Sequence, residues 1–193
     1  MKFEKRELLI EDLSIDKKEN SMTVEGYTLK WGSMSNPIAT ADGFFYENFA
    51  MGAFDETLQN DEQLVLYGHD INQVLGRTSN NTALLVADEA GLHLTVDLPN
   101  TTLGKDVLEL VKRGDIAGMS VGFIKQEDSF ERVDGDIVRT INKAKLVEVS
   151  LVPMPAYDSS DVSQRSMEGL QDLLEQEQKQ KELRQRLLLL AQI

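Results

Sequence analysis

Apolar residues along most of this chain recur at every second position or in short unbroken runs, the spacing of β-strands. Glu7–Leu13 and Met22–Lys30 show it on either side of the polar turn Asp16–Asn20. A loop follows over Trp31–Thr40, then the aromatic run Phe44, Phe45, Tyr46 and Phe49. In Gly52–Gln59 the four-residue spacing of Phe54 and Leu58 predicts a short helix. Gln63–Tyr67 is a short apolar strand that stops at Gly68, with His69 next. Gln73–Arg77, Thr82–Asp88 and Leu92–Leu98 continue the β pattern, the last two joined by a turn at Glu89–Gly91.

The period then lengthens. Leu103, Val107, Leu110 and Val111 make one apolar stripe over Leu103–Lys112, with Thr101 or Thr102 as the cap and Gly114 as the stop. Strands return at Gly118–Gln126, at Phe130–Val133 and Ile137–Ile141 across an Asp134-Gly135 turn, and at Lys145–Val152, which Pro153 and Pro155 close. The expected fold is mainly β with flanking helices, an α+β unit over residues 1–157. Asp158–Met167 is polar and linker-like, placing a link at 158–168. From Gly169 to the end, good helix formers dominate. Leu170, Leu173 and Leu174 form one apolar patch and Leu183, Leu187 and Leu190 another, with a polar gap that breaks any coiled-coil seam. This reads as an appended helical tail that awaits a partner.

Composition narrows the chemistry. With 193 residues, 41% hydrophobic and 27% charged, the chain has enough apolar material for a core of its own. Its 33 acidic against 20 basic residues give a net charge of −13, which repels phosphate backbones and argues against nucleic acid as a partner. The absence of cysteine removes disulfides, thiolate metal sites and cysteine nucleophiles. No stretch has the apolar length of a signal peptide core or a bilayer span, so no membrane partner is expected.

Two histidines limit the choice of general base. His93 shares the polar face of its strand with Thr95 and Asp97 and is expected to be solvated. His69 leaves the end of an apolar strand, where a side chain can meet other elements, and Asp70 beside it is one group able to orient an imidazole. Among the serines, Ser120 stands between Gly118 and Gly122, which let another backbone approach closely. Glycines at strand bulges would look the same. The letters G-x-S-x-G match the nucleophile elbow of the α/β-hydrolases, but β-type residues follow where that motif needs a helix. Glu148 sits in the apolar run Leu146–Leu151, either on a wet face with Leu146 and Ser150 or buried with a partner.

At these positions the chain resembles the prohead maturation proteases of tailed bacteriophages, a family of serine peptidases. The resemblance covers about residues 20 to 157 and rests on pieces in the family's order. These are Gly52-Ala53-Phe54, Gly68-His69-Asp70 before Leu75-Gly76-Arg77, Leu103-Gly104-Lys105, Arg113-Gly114-Asp115, Gly118-Met119-Ser120-Val121-Gly122-Phe123, and Val147 to Pro153 with Pro155-Ala156 behind. It implies a β-barrel-like core similar to that of herpesvirus assemblins. It also implies His69 as general base, Ser120 as nucleophile and Glu148 as third member of a triad, with no metal or organic cofactor. Many relatives carry asparagine or glutamate where this chain has Gly68. Oxyanion donors are expected near Gly122 or in a loop near Arg139. The implied function is a maturation endopeptidase in the host cytoplasm, inside the assembling prohead, acting on the scaffold segment of the major capsid protein, a separate scaffold protein and itself. The linker Asp158–Met167 is its expected self-cleavage region. The alternative is a non-enzymatic capsid-assembly or scaffold-binding module, which requires Ser120 and His69 to lie far apart. A metal hydrolase built on His69 and Asp70 would have too few nitrogen ligands.

Overall fold

The computed structural model describes residues 3–9, 13–15, 21–40, 43–153 and 168–190. The expected linker Asp158–Met167 lies outside them. The strands are β1 (Phe3–Leu9), β2 (Ser14–Ile15), β3 (Thr23–Lys30), β4 (Ile38–Thr40), β5 (Gly43–Phe49), β6 (Leu64–Tyr67), β7 (Asp70–Arg77), β8 (Ala83–Ala87), β9 (Gly91–Asp97), β10 (Gly118–Val133) and β11 (Asp136–Val152). Helices are α1 (Asp55–Asn60), α2 (Thr102–Arg113) and α3 (Glu168–Leu190).

The mainly β, α+β expectation holds, and among the described residues the strands form two open sheets. One runs β1-β10-β11-β5-β4, with β6 also pairing β11 and β7 pairing β6; the other runs β2-β3-β9-β8. The hairpin β10–β11 organises the larger sheet. Its turn is the Asp134-Gly135 pair, both residues with positive φ, as the tight two-residue turn between twisted strands requires. The sequence breaks this hairpin into four shorter strands. The structure instead runs 16 and 17 residues without a stop, carried through polar stretches such as Glu127 and Lys143 by cross-strand pairing. β5 and β6 lie along the same edge of β11, both parallel to it, the first beside Val138–Ile141 and the second beside Glu148–Leu151.

Other differences are local. The first strand begins four residues earlier than its apolar pattern, because Glu4 and Arg6 are buried as an ion-paired set rather than left to solvent. Ile38–Thr40, inside the expected loop, forms β4 because Ile38 is buried against the aromatic strand. α2 follows the expected stripe: Thr101 accepts from the Gly104 amide, Val107 and Val111 are buried, and Gly114 adopts the left-handed cap. The core joins both sheets through residues such as Val24, Leu94 and Val96 on one side and Val121, Phe123 and Leu151 on the other, with Phe54 beneath α1. Burial of side chains this size contributes about 1.5–3 kcal/mol each before entropy is counted. α3 rests on β10 through buried Leu170 and a two-pronged contact of Arg132 with Glu177, at 2.8 and 2.9 Å. Leu183 and Leu187 farther along are exposed.

Candidate active site

Four positions on neighbouring strands share one face of the larger sheet. Ser120 on β10 is directly opposite Ser150 on β11, and Gly122 is opposite Glu148. Residues so paired have their Cβ atoms about 4.5–5.5 Å apart, so the four make a compact square. Strict alternation would also place Leu146 on this face. It does not lie there, because the register shifts between Gly122 and Phe123: Glu148 pairs with Gly122, Leu146 pairs with Phe123, and Val147 is left over. This bulge changes the parity of the strand, so that Ala144 and Leu146 before it and Val149 and Leu151 after it all enter the core. Glu148 and Ser150 are thereby turned together to the opposite face.

Gly122 is needed for space. A Cβ there would come within 2.1 Å of Glu148 Oε1 and 2.4 Å of the Phe3 ring, so the carboxyl group lies across the glycine on the neighbouring strand. Glu148 is 3% exposed and has both oxygens engaged. Oε1 is 2.7 Å from His69 Nδ1, and Oε2 accepts from the Ser150 hydroxyl at 2.6 Å. A carboxylate only accepts, so the proton between Oε1 and the imidazole belongs on Nδ1, and Nε2 is left as the basic nitrogen.

His69 reaches this square through a tight turn. Gly68 and His69 both have φ near +60°, and Tyr67 pairs with Asp70 on either side of them, the geometry of a two-residue hairpin turn between β6 and β7. Glycine takes the first left-handed position without strain. Histidine pays for the second, a cost usual at sites where chemistry fixes a side chain. The turn is pinned to β11: Gly68 N–H donates to the Leu151 carbonyl at 3.1 Å and His69 N–H to Ser150 Oγ at 3.0 Å. Gly68 is thus supported by the backbone. Asp70 does not orient the imidazole. Its oxygens accept from Asn72 and Gln73, which hold its carboxyl below the usual carboxylate range.

Ser120 is wholly buried, and its hydroxyl donates to the Arg6 carbonyl on β1 at 2.9 Å. His69 Nε2 is buried without a hydrogen-bond partner. The imidazole, the carboxylate and the serine therefore share one sheet face, while the hydroxyl is turned toward β1. Ser150 is the residue that sequence reasoning passed over. Its signal was its place two residues after Glu148, on the same face.

Two expectations need correction. Arg139 is not in a loop. It lies within β11, is wholly buried, and contacts Glu4, Glu47 and Asp128 at 2.7–3.0 Å. Burial opposes its charge, but Glu47, Glu4 and Asp128 outweigh that and raise its pKa further. The backbone at Arg139 is paired with Phe130 of β10 on one side and Glu47 of β5 on the other, so no loop there offers amides to an oxyanion. His93 is half-buried rather than solvated, edge-on to Tyr27 with ring centres 5.0 Å apart.

Residues 11–172 match the family model for the caudovirus prohead serine protease. The chain belongs to that family. It is a serine endopeptidase of phage prohead maturation, and the non-enzymatic reading falls away. No curated protein and no solved structure matches the chain. β1 of this prohead protease lies before the matched region. No helix among its described residues is long and apolar enough to cross a membrane.

Proposed function

We propose that this prohead protease works through Ser120 as nucleophile, His69 as general base and Glu148 as the group that orients and supports the imidazole. The observation that carries the assignment is the 2.7 Å contact of His69 Nδ1 with Glu148 Oε1 on the sheet face that also bears Ser120. Glu148 fixes the Nδ1–H tautomer and stabilises the imidazolium as it forms. Nε2 takes the Ser120 proton while Oγ adds to the scissile carbonyl. The imidazolium returns that proton to the leaving amine, and water then cleaves the acyl-enzyme with His69 again as base. Ser150 keeps the second carboxylate oxygen occupied and holds the His69 backbone, making it a positioning residue.

The substrates we propose are the scaffold segment of the major capsid protein, a separate scaffold protein and the protease itself, cut inside the assembling prohead in the host cytoplasm. In this reading residues 1–157 are the protease, 158–168 a link open to self-cleavage, and 169–193 an arm whose exposed Leu183 and Leu187 meet scaffold or coat. Kinship with the herpesvirus assemblins belongs to the same proposal, supported by the β-rich core and the two long strands that carry Ser120 and Glu148. Co-expression with the coat protein, read by intact mass, is the test. The normal chain should trim coat and itself, and Ser120→Ala should leave both at full length. Trimming by the purified Ser120→Ala chain would refute the assignment.

A further inference from the structure

The serine is covered by the chain's own amino-terminal strand. β1 pairs antiparallel with β10 over Gly118–Ile124, in register from Phe3↔Ile124 to Leu9↔Gly118, so its centre lies against Ser120. The Arg6 carbonyl accepts a hydrogen bond from the Ser120 hydroxyl at 2.9 Å, and the Phe3 ring closes over Gly122. A hydroxyl that donates to a carbonyl oxygen points its proton at it rather than a lone pair at the carbon, so β1 is held without being attacked. Meanwhile His69 Nε2, to which that proton should pass, has no partner. A buried acceptor left unpaired is costly, which makes this a poised arrangement rather than a satisfied one.

β1 is also held by charge. Arg6 bonds Glu47 at 2.5 Å and Glu4 at 2.7 Å, and Glu4 bonds Arg139 at 3.0 Å. Glu4, Arg6, Glu47 and Arg139 are each at least 95% buried. If β1 leaves β10, Arg139 and Glu47 lose partners inside the protein, a large cost unless the incoming chain replaces them. An extended peptide added to the same edge gains the backbone pairing of any edge strand. It keeps the buried charges matched only if it brings an acid and, two residues on, a base.

We propose that β1 is a pseudosubstrate that occupies the peptide-binding edge of β10 and inhibits the enzyme, and that the substrates displacing it are extended segments with an acidic and a basic residue at positions i and i+2. This rests on the assignment of Ser120 as nucleophile. β1 precedes the region matched by the family model.

The test tethers the strand in the full chain. There is no native cysteine, so the register pair Phe3→Cys and Ile124→Cys gives a single cross-link. The substrate is the purified coat protein, read by intact mass, with Ser120→Ala as control. Trimming should fall at least tenfold on oxidation and return on reduction. A peptide copying residues 1–12 should inhibit the reduced enzyme, and the same peptide carrying E4R and R6E should inhibit at least tenfold more weakly. Equal rates for oxidised and reduced enzyme, or equal inhibition by the two peptides, would overturn the proposal while leaving the serine assignment standing. No trimming by any form would sink the assignment and the proposal together. Should the tethered chain fail to fold, hydrogen exchange on full-length Ser120→Ala decides. Saturating native peptide should raise exchange at residues 3–9 and the charge-exchanged peptide should not; unchanged protection with both would refute displacement.

Discussion

The two ends of the β10–β11 hairpin each carry a buried polar cluster, and the clusters differ in how completely they are satisfied. Toward the turn, Arg139 and Arg6 meet Glu4, Glu47 and Asp128, and Lys125 balances Asp128, so three cations face three carboxylates. Aromatic rings complete the setting, with Phe130 beneath Arg139 and Phe123 beneath Arg6. At the far end, Glu148, His69 and Ser150 are bonded to one another, but Nε2 is left bare and Ser120 is turned away. Low dielectric makes each unpaired group costly, so a closed network is suited to stability and an open one to chemistry. Buried polar residues alone do not separate a site from a strut; the leftover valence does.

The largest expected effect is at the open cluster. Ser120→Ala should remove peptide hydrolysis by about 10⁴-fold or more while losing only one hydrogen bond of about 1 kcal/mol, measured by hydrolysis and denaturant unfolding side by side. Glu148→Gln keeps the shape but not the charge, and kcat should fall by about 10²–10⁴-fold, from pre-steady-state rates on one peptide. At the closed cluster the balance reverses. Arg139→Met leaves Arg6 as the single cation against Glu4 and Glu47 and should cost about 3–5 kcal/mol in urea unfolding. The Arg139→Met fraction that folds should retain the His69–Glu148 contact, seen as an unchanged imidazole NMR signal. A chain equally stable without Arg139 would break the contrast.

Gly122→Ala tests the ground between the clusters. The added methyl meets Glu148 Oε1, so the carboxylate must move off the imidazole, and about 1–3 kcal/mol should be lost together with activity. The smallest effect is expected at α3, where Arg132 pulls the Glu177 carboxyl below its ordinary 4.5. A lowered carboxyl pKa favours docking above the ordinary value and withdraws that support as pH falls through the lowered one. Amide protection near Glu177, relative to the intrinsic exchange rate at each pH, should therefore fall in acid and in high salt, and Glu177→Gln should remove that dependence.

Much of the fold could be read along the chain. α2 declared itself by its stripe, its Thr101 cap and its Gly114 stop, and the Asp134-Gly135 turn by its residue types, because these signals are local. The long hairpin was broken in reading because pairing across strands carries it through polar positions. Motif order drew attention to His69, Ser120 and Glu148, yet no pattern along β11 showed Glu148 parting from Leu146, since the bulge depends on register with β10. Ser150 and the Glu4–Arg6–Glu47–Arg139 cluster were missed for the same reason. Their partners lie up to 135 residues away.

Residue type and short-range spacing are enough for the β-rich class, the capped helix and the turns, while the order of the family's motifs singled out His69, Ser120 and Glu148. Tertiary structure alone decided that the imidazole meets Glu148 rather than Asp70, that Arg139 belongs to a closed ionic cluster, and that β1 lies over the serine. Those outcomes depend on which strands become neighbours and in what register, and a one-residue shift in either would turn each side chain to the other face of the sheet.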